Sequence, residues 1–244
     1  MKDNESNTNK KEYLVLNDNP IYFEEDWNTG IGGGLWSTGL AMAKYFENDT
    51  KLLQYVLRKS TSLTINVLEL GSGNGFLSTC LLALWKDHIG CLVSTDLADH
   101  LPLMHRTRDA NSHLMSRLGQ QHPNQWIIME HPWGNFTKKP PLEESSNEIE
   151  FQVPSGEANF QVIIGSDVAY HASLYDVLIQ TLDGFCRSDT IIVLGITMRD
   201  TRPTFFHKLC EKGFQYSRVS DHLMPLGFRG DTFGIFIITR VNQC

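Results

Sequence analysis

Short apolar runs alternate with amphipathic segments along most of the chain. Seven runs have the length and composition of buried strands, namely residues 64–70, 91–95, 126–129, 160–165, 190–195, 214–219 and 232–241. Apolar residues between Phe76 and Trp85, and again between Leu174 and Leu182, repeat at helical spacing. Strands that alternate with helices predict an α/β fold built on a mainly parallel, doubly wound sheet of seven strands.

The two ends of the predicted sheet differ from its middle. Residues 35–46 and 52–58 are predicted to form helices ahead of the first strand, after a glycine cluster at residues 30–34 that indicates a turning loop. The last two strands are joined by residues 220–231 without a helix, which predicts an antiparallel, reversed final pair. Residues 13–244 are therefore expected to form a single domain.

Two segments are too polar to join that core. The first dozen residues are rich in Asn and Lys, and they predict a disordered tail over residues 1–12. Residues 137–159 contain a Pro-Pro pair and a run of acidic and serine residues, and they predict a long surface insertion between the third and fourth strands.

Composition and charge exclude several classes of protein. Lys and Arg number 21 against 28 Asp and Glu, giving a net charge of −7 with no basic cluster, so nucleic acid is not an expected partner. No apolar run reaches about 18 residues and the start is unlike a signal peptide, which predicts a protein of the cytoplasm or nucleus with no membrane contact. A monomer is expected. Five separated cysteines are predicted to be reduced core thiols, and no ligand spacing for a metal is present.

A glycine-rich turn follows the first predicted strand of the sheet. Gly71, Gly73 and Gly75 alternate with other residues directly after an apolar run that holds Glu69. Such a turn lets the backbone approach a ligand, and the following helix offers free N–H groups to it. The spacing departs from the G-x-G-x-x-G dinucleotide pattern, yet a nicotinamide enzyme and a purely structural turn both stay open at this point.

Asp96 ends the second predicted strand, about twenty residues beyond the last glycine of the turn. A carboxylate there can accept both hydroxyls of an adenosine ribose, although a helix cap is the structural alternative and NAD would fit equally well. Trp36 and Trp133 could each stack on adenine, or could serve as core residues.

The fourth predicted strand ends in a D-x-x-Y motif formed by Asp167 and Tyr170. This motif, the segment from Gly34 to Lys44, the glycine turn and the Trp133-Gly134 pair occur in one order. In that combination the chain, over roughly residues 30 to 240, resembles the methyltransferase-like protein-lysine methyltransferases, which belong to the seven-β-strand, S-adenosylmethionine-dependent class.

The resemblance implies a Rossmann-like sheet, S-adenosylmethionine as methyl donor and a lysine of a protein substrate as acceptor. The family's substrates include chaperones and translation factors, and some relatives methylate arginine or histidine. By this resemblance Asp167 and Tyr170 are the candidate catalytic residues. The candidate cofactor-binding residues are Trp36, Glu69, Gly71, Ser72, Gly73, Asp96, Trp133 and Ser166.

The chemistry of the reaction restricts what Asp167 could do. Only about one lysine amine in 2,500 is neutral at pH 7, and a neighbouring carboxylate favours the charged form still further. We therefore expect Asp167 to orient the nitrogen, with proton loss through water or on entry into a drier site, while the Tyr170 ring walls the pocket. The structural alternative is that Asp167 caps a helix and Tyr170 packs.

Two further functions use the same motifs. A scaffold or chaperone-interaction protein could keep the fold with a silent donor site, and a small-molecule methyltransferase would share every cofactor motif. Of the remaining polar residues, His171 could be a base but is more typical of a helix start. Residues 197–200 are expected near the acceptor groove, whereas Phe205 and Phe206 are expected in the core.

Overall fold

The computed structural model describes residues 11–16, 18–60, 62–115, 125–134 and 160–241. Most of the predicted tail and all of the predicted insertion at 137–159 lie outside these described residues.

Nine strands and six α-helices make up the regular structure of this part of the chain. The strands are β1 (Lys11–Leu16), β2 (Asn19–Phe23), β3 (Ile65–Leu70), β4 (Ile89–Asp96), β5 (Gln125–Glu130), β6 (Val162–Ser166), β7 (Ile191–Thr197), β8 (Phe214–Arg218) and β9 (Phe233–Arg240). The helices are α1 (Ser37–Asn48), α2 (Lys51–Lys59), α3 (Phe76–Trp85), α4 (Leu101–Ala110), α5 (Tyr175–Phe185) and α6 (Pro203–Glu211).

Seven of the strands form one sheet in the order β5-β4-β3-β6-β7-β9-β8. The five strands from β5 to β7 are parallel, and β9 runs antiparallel to both β7 and β8. The predicted Rossmann-like sheet with a reversed last pair is thus confirmed. The chain proceeds from β3 outward to β5 and then returns to β6 on the other side of β3, so the strand order reverses between β3 and β6.

Helices cover both faces of the sheet. The core on one face includes buried side chains of α1, α2 and α3, and the core on the other includes those of α5 and α6. Because strand side chains alternate in direction, Val67 of β3 packs in the first core while Leu68 and Leu70 pack in the second. Glu69 therefore points towards the face of α3.

A hairpin of β1 and β2 precedes the main sheet, and the sequence pattern did not predict it. Ile21 and Phe23 of β2 are buried in the first core, where the Phe23 ring meets the Phe76 ring of α3 edge-on. β1 begins at Lys11, the first of the described residues. The hairpin leads into two short 3-10 turns, Trp27–Thr29 and Ile31–Gly33, which reach the carboxyl edge of the sheet.

Candidate active site

The glycine turn lies between β3 and α3, beside the place where the strand order reverses. Gly71, Gly73 and Gly75 all have positive φ angles, of 64°, 57° and 77°. Residues from other segments of the chain pack closely against these glycines. A Cβ on Gly73 would lie 2.4 Å from the carbonyl oxygen of Gly32, and one on Gly71 would lie 2.9 Å from Cγ1 of Val168. The 3-10 turn at Gly32 thus rests directly on the glycine turn.

These contacts make a substitution of Gly73 costly. Gly73→Ala would combine a left-handed backbone with a backbone collision, so we expect it to lower the free energy of unfolding by more than the 1–2 kcal/mol, roughly, of the φ angle alone. Urea unfolding measures this. Gly213→Ala is the matched control, because Gly213 has φ of 85° but nothing within 4 Å of a Cβ. Equal losses in the two variants would show that Gly32 does not press on the turn.

Asp96 stands at the end of β4 and faces the glycine turn. Its Oδ2 accepts a hydrogen bond from the Gly73 N–H at 2.7 Å, and its Oδ1 accepts one from the Leu97 N–H, also at 2.7 Å. Nδ1 of His100 lies 3.1 Å from the same Oδ1. The carboxylate is thus fixed against the tip of β3, in the position from which a ribose would be held.

The two candidate adenine-stacking tryptophans occupy different places. Trp133 lies beside the glycine turn, since a Cβ on Gly71 would be 3.4 Å from its ring. Trp36 is 41 % exposed at the start of α1. Its indole N–H donates to the Ile31 carbonyl at 2.9 Å, and its ring meets the Trp27 ring edge-on. Both residues therefore line the carboxyl edge, and their contact with adenine stays a prediction.

Glu69 is the most deeply buried acidic side chain of the candidate site, with 2 % exposure. Its carboxyl accepts a hydrogen bond from the Ser78 hydroxyl, which in turn meets the Ser94 hydroxyl, and Ser94 accepts from the Trp126 indole N–H at 2.7 Å. Burial raises the pKa of Glu69 from 4.5 to about 7, against the lowering effect of hydrogen bonds from Ser78 and Ser72. The Glu69 carboxyl thus packs between the end of β3 and the start of α3, next to the glycine turn.

The raised pKa of Glu69 predicts a pH-dependent stability. The unfolded chain loses this proton near pH 4.5 and the folded protein near pH 7, so stability is fully present below pH 4.5 and is lost as pH rises to about 7. The loss from this group is about 3 kcal/mol. Urea unfolding from pH 4.5 to 8 measures it, with Glu69→Gln as the comparison. A slope that is the same in both proteins would contradict the assignment.

Asp167 directly follows β6, on the other side of the strand-order reversal. It has a φ angle of 53°, a conformation in which Asp and Asn are the commonest residues after glycine. Its N–H donates to the Gly195 carbonyl at 2.9 Å, and its Oδ1 accepts from the Thr197 N–H at 2.8 Å. The other carboxylate oxygen, Oδ2, is buried and has no hydrogen-bond partner. β7 therefore fixes Oδ1 of Asp167 by a hydrogen bond, whereas Oδ2 accepts none.

The surroundings of Asp167 include residues of α1. The Ser166 hydroxyl is also buried without a partner, and a Cβ on Gly39 of α1 would lie 3.4 Å from it. Thr38 meets Thr197 hydroxyl to hydroxyl at 3.0 Å. These contacts bring the start of α1 to the ends of β6 and β7, which agrees with the expected position of residues 197–200 on the active edge of the sheet.

Tyr170 is 40 % exposed, and its ring meets His171 edge-on at 6.5 Å between centroids. His171 caps the following turn, since its Nδ1 accepts a hydrogen bond from the Ser173 N–H and lies 2.8 Å from the Ser173 hydroxyl. The structure thus supports the interpretation of His171 as a residue that stabilises the start of a helix. A role for Tyr170 as a wall of the pocket stays a prediction.

Of the other sequence predictions, some are confirmed and one is wrong. Phe205 and Phe206 are buried in the core of the α5–α6 face, as expected. Cys80 and Cys186 are buried thiols, but Cys210 is exposed on α6, so the prediction that the cysteines are core residues is wrong there. Its place late in a short amphipathic helix puts it on the polar face.

Among the described residues no cluster has the ligands of a metal site, and no helix is both long and apolar enough to cross a bilayer.

Sequence reasoning missed His100 and the role of the glycine cluster at residues 30–34. His100 is 7 % exposed and lies between Asp96 and that cluster. The spacing of four residues from Asp96 was the available signal, but it predicts a contact only on a helix, and residues 98–100 form a 3-10 turn. The cluster was predicted to be a turning loop, and its contact with Gly73 could not be inferred from spacing.

The site has features that fit S-adenosylmethionine. Backbone groups of the glycine turn and the Asp96 carboxylate meet at the tip of β3, which suits a ribose. Buried oxygens without partners, on Ser166 and Asp167, lie at the neighbouring strand end, where hydrogen-bond donors of a ligand would satisfy them. Glu69, Ser72 and Trp133 also surround the turn, and their contact with the cofactor stays a prediction.

Comparisons with known proteins agree with this geometry. A family model described as "Lysine methyltransferase" matches residues 15–132, just under half of the chain. "EEF1A lysine methyltransferase 3" of Xenopus tropicalis is 26 % identical, over 88 % of this chain and 78 % of that protein. "Protein N-lysine methyltransferase METTL21A" of Mus musculus is 25 % identical, over 82 % and 76 %.

A solved structure supports the fold independently. The 16S rRNA N2 G1207 methyltransferase RsmC of T. thermophilus, crystallised with AdoMet and guanosine, has a TM-score of 0.54. The similarity covers 96 % of this chain and 50 % of that one at 14 % identity, so it shows the fold alone.

The sheet order and the glycine turn at the point of reversal define a Rossmann-like fold, and the family model and the relatives identify an S-adenosylmethionine-dependent methyltransferase. Within that class the chain is similar to the lysine methyltransferase family, as its motifs implied.

Proposed function

We propose that this protein transfers the methyl group of S-adenosylmethionine to the side-chain amine of a lysine in a protein substrate, at the carboxyl ends of β6 and β7. The observation that carries the proposal is the carboxylate of Asp167. One oxygen is fixed by the Thr197 N–H and the other is buried without a partner, beside the strand-order reversal. A donor that enters the site, such as a lysine amine, satisfies that oxygen.

Each part of this strand edge has a defined task in the proposal. Asp96 and the glycine turn would hold the adenosine part of S-adenosylmethionine, and the sulfonium of that cofactor would supply the methyl group. Asp167 orients the lysine nitrogen, because its backbone conformation and its bond to Thr197 leave the side chain little freedom. A fixed orientation of the acceptor accounts for a large part of the acceleration in such a bimolecular reaction.

Proton loss must precede attack by the nitrogen. The Asp167 carboxylate stabilises the ammonium form, so it does not by itself generate the neutral amine. We assign no proton transfer to His171, whose Nδ1 is engaged with Ser173. We propose that water takes the proton as the lysine enters, and that Asp167 then accepts a hydrogen bond from the neutral amine through its free oxygen.

The substrate is a protein, as the names of the relatives indicate for those proteins. EEF1A is the first candidate, because a relative that covers most of this chain is named for its action on it. The predictions of a monomer in the cytoplasm or nucleus, without a nucleic-acid partner, continue to rest on sequence alone.

Labelling of a cell extract tests the proposal. The enzyme is incubated with methyl-labelled S-adenosylmethionine and either the protein fraction or the metabolite fraction of an extract. We expect label in the protein fraction, as methyllysine after acid hydrolysis. Label in metabolites only would identify a small-molecule enzyme, and no label despite tight S-adenosylhomocysteine binding to a well-folded protein would favour a silent scaffold.

A further inference from the structure

His100 is a buried imidazole that none of the proposed steps uses. Its Nδ1 lies 3.1 Å from Oδ1 of Asp96, within ion-pair distance but off the line of a well-formed hydrogen bond. Its Nε2 is buried and also has no hydrogen-bond partner. A histidine with 7 % exposure and two unsatisfied ring nitrogens is costly, so its position calls for an explanation beyond packing.

The acceptor sites of Asp96 are nearly all taken. A carboxylate offers about four lone-pair sites. The N–H groups of Gly73 and Leu97 fill one site on each oxygen, and His100 faces a second site on Oδ1. Roughly one lone-pair site of Asp96 then remains free, on Oδ2, whereas the two hydroxyls of a ribose would need two such sites. His100 and the ribose therefore compete for Oδ1.

The far side of the imidazole lies against the glycine cluster at residues 30–34. A Cβ on Gly32 would be 2.7 Å from Nε2, and one on Gly30 would be 3.8 Å from it. The carbonyl of Gly32 in turn lies over Gly73. His100 is thus wedged between the acid of β4 and the loop that rests on the glycine turn.

We propose that His100 is a positioning residue that competes with the cofactor's ribose for Asp96 and supports the 30–34 loop above the glycine turn. This inference rests on the proposed function, because it takes the ribose to be held by Asp96. Protonated, His100 is held by Asp96 as an ion pair and opposes ribose binding. Neutral, it binds Asp96 more weakly and is displaced more easily.

The charges around His100 set the direction of its titration. Asp96 faces it from β4 and Asp99 lies on its own turn, whereas Gly30 and Gly32, the loop residues shown against its far side, carry no charge. The contact with Asp96 raises the pKa of His100 above 6.5, against the lowering effect of burial. Cofactor affinity is therefore expected to increase with pH across the neutral range.

Calorimetry with S-adenosylhomocysteine from pH 5.5 to 8.5 tests the competition. Because the contact with Asp96 raises the pKa of His100, the protonated form that opposes ribose binding is favoured at low pH, so the Kd is expected to be several-fold weaker at pH 5.5 than at pH 8.5. His100→Leu keeps much of the volume and removes the charge, and His100→Asn keeps a neutral donor. Both variants are expected to lose this pH dependence and to bind more tightly than wild type at pH 5.5.

Glu69 titrates in the same pH range, so the series is repeated in a Glu69→Gln background, where the dependence on His100 should persist. A wild-type affinity that does not change with pH would overturn the inference alone. Parallel weakening of both His100 variants at every pH would do the same, since a structural residue has that effect. No binding at any pH by a folded protein would overturn the proposed function as well.

The support of the loop has its own test. Gly32→Ala should collide with the imidazole and lower the melting temperature, and the loss should largely disappear when His100 is also changed to Ala. Equal losses in the two backgrounds would show that His100 does not support the loop.

Discussion

Asp167→Asn is expected to lower the rate of lysine methylation by about 100-fold or more while the Kd for S-adenosylhomocysteine stays within about threefold. Asn accepts the left-handed backbone at this position and keeps an oxygen for the Thr197 N–H, so the local fold should survive. It replaces the free carboxylate oxygen, however, by an amide N–H₂ that repels the substrate amine. The measurement is kcat with a labelled protein substrate, beside calorimetry of the cofactor product.

The matched control is Asp109→Asn. Asp109 is exposed and paired with Arg108 on α4, which contributes none of the candidate site residues, so its change should leave the rate within about twofold. If Asp167 only braces β6 against β7, Asp167→Asn would lower the melting temperature and leave the rate of the folded enzyme near that of wild type.

Asp96→Asn is expected to weaken the binding of S-adenosylhomocysteine by at least about 100-fold. Hydrogen bonds to a charged acceptor contribute about 1.5–3 kcal/mol each, and the ribose is expected to donate two of them. Calorimetry at pH 8.5, the pH of the series at which His100 is least protonated, reduces the contribution of the competition with His100 to this effect. The neutral Asn should still accept one of the backbone N–H groups that Asp96 now holds.

Asp99→Asn serves as the control for charge alone, because Asp99 is exposed three residues further along the chain. It should change the Kd by less than about threefold. An Asp96→Asn protein that binds as tightly as wild type would place the ribose elsewhere.

The motifs of the sequence predicted the fold well, because hydrophobic periodicity records which faces are buried. The seven strands, the reversed last pair and the position of Asp167 at the end of β6 all follow from apolar runs and their order. The hairpin of β1 and β2 was missed, since it is short and rich in polar residues and is stabilised by burial of Ile21 and Phe23 against the distant α3.

The site was less accessible to sequence reasoning, because its contacts join distant segments. The three glycines suggested close approach of a ligand, whereas in the structure Gly73 is approached by the Gly32 carbonyl and Gly71 by Val168. Spacing indicated that Asp96 ends a strand, but not that Gly73, Leu97 and His100 share its two oxygens. Such sharing depends on the tertiary fold.

A crystal structure of the complex with S-adenosylhomocysteine tests the central claim most directly. The account predicts that the ribose hydroxyls lie within hydrogen-bond distance of Asp96, with His100 shifted away from Oδ1, and that the homocysteine sulfur points towards the end of β6 at Asp167. A nucleoside bound away from the tip of β3, with Gly32 and His100 unmoved, would contradict it.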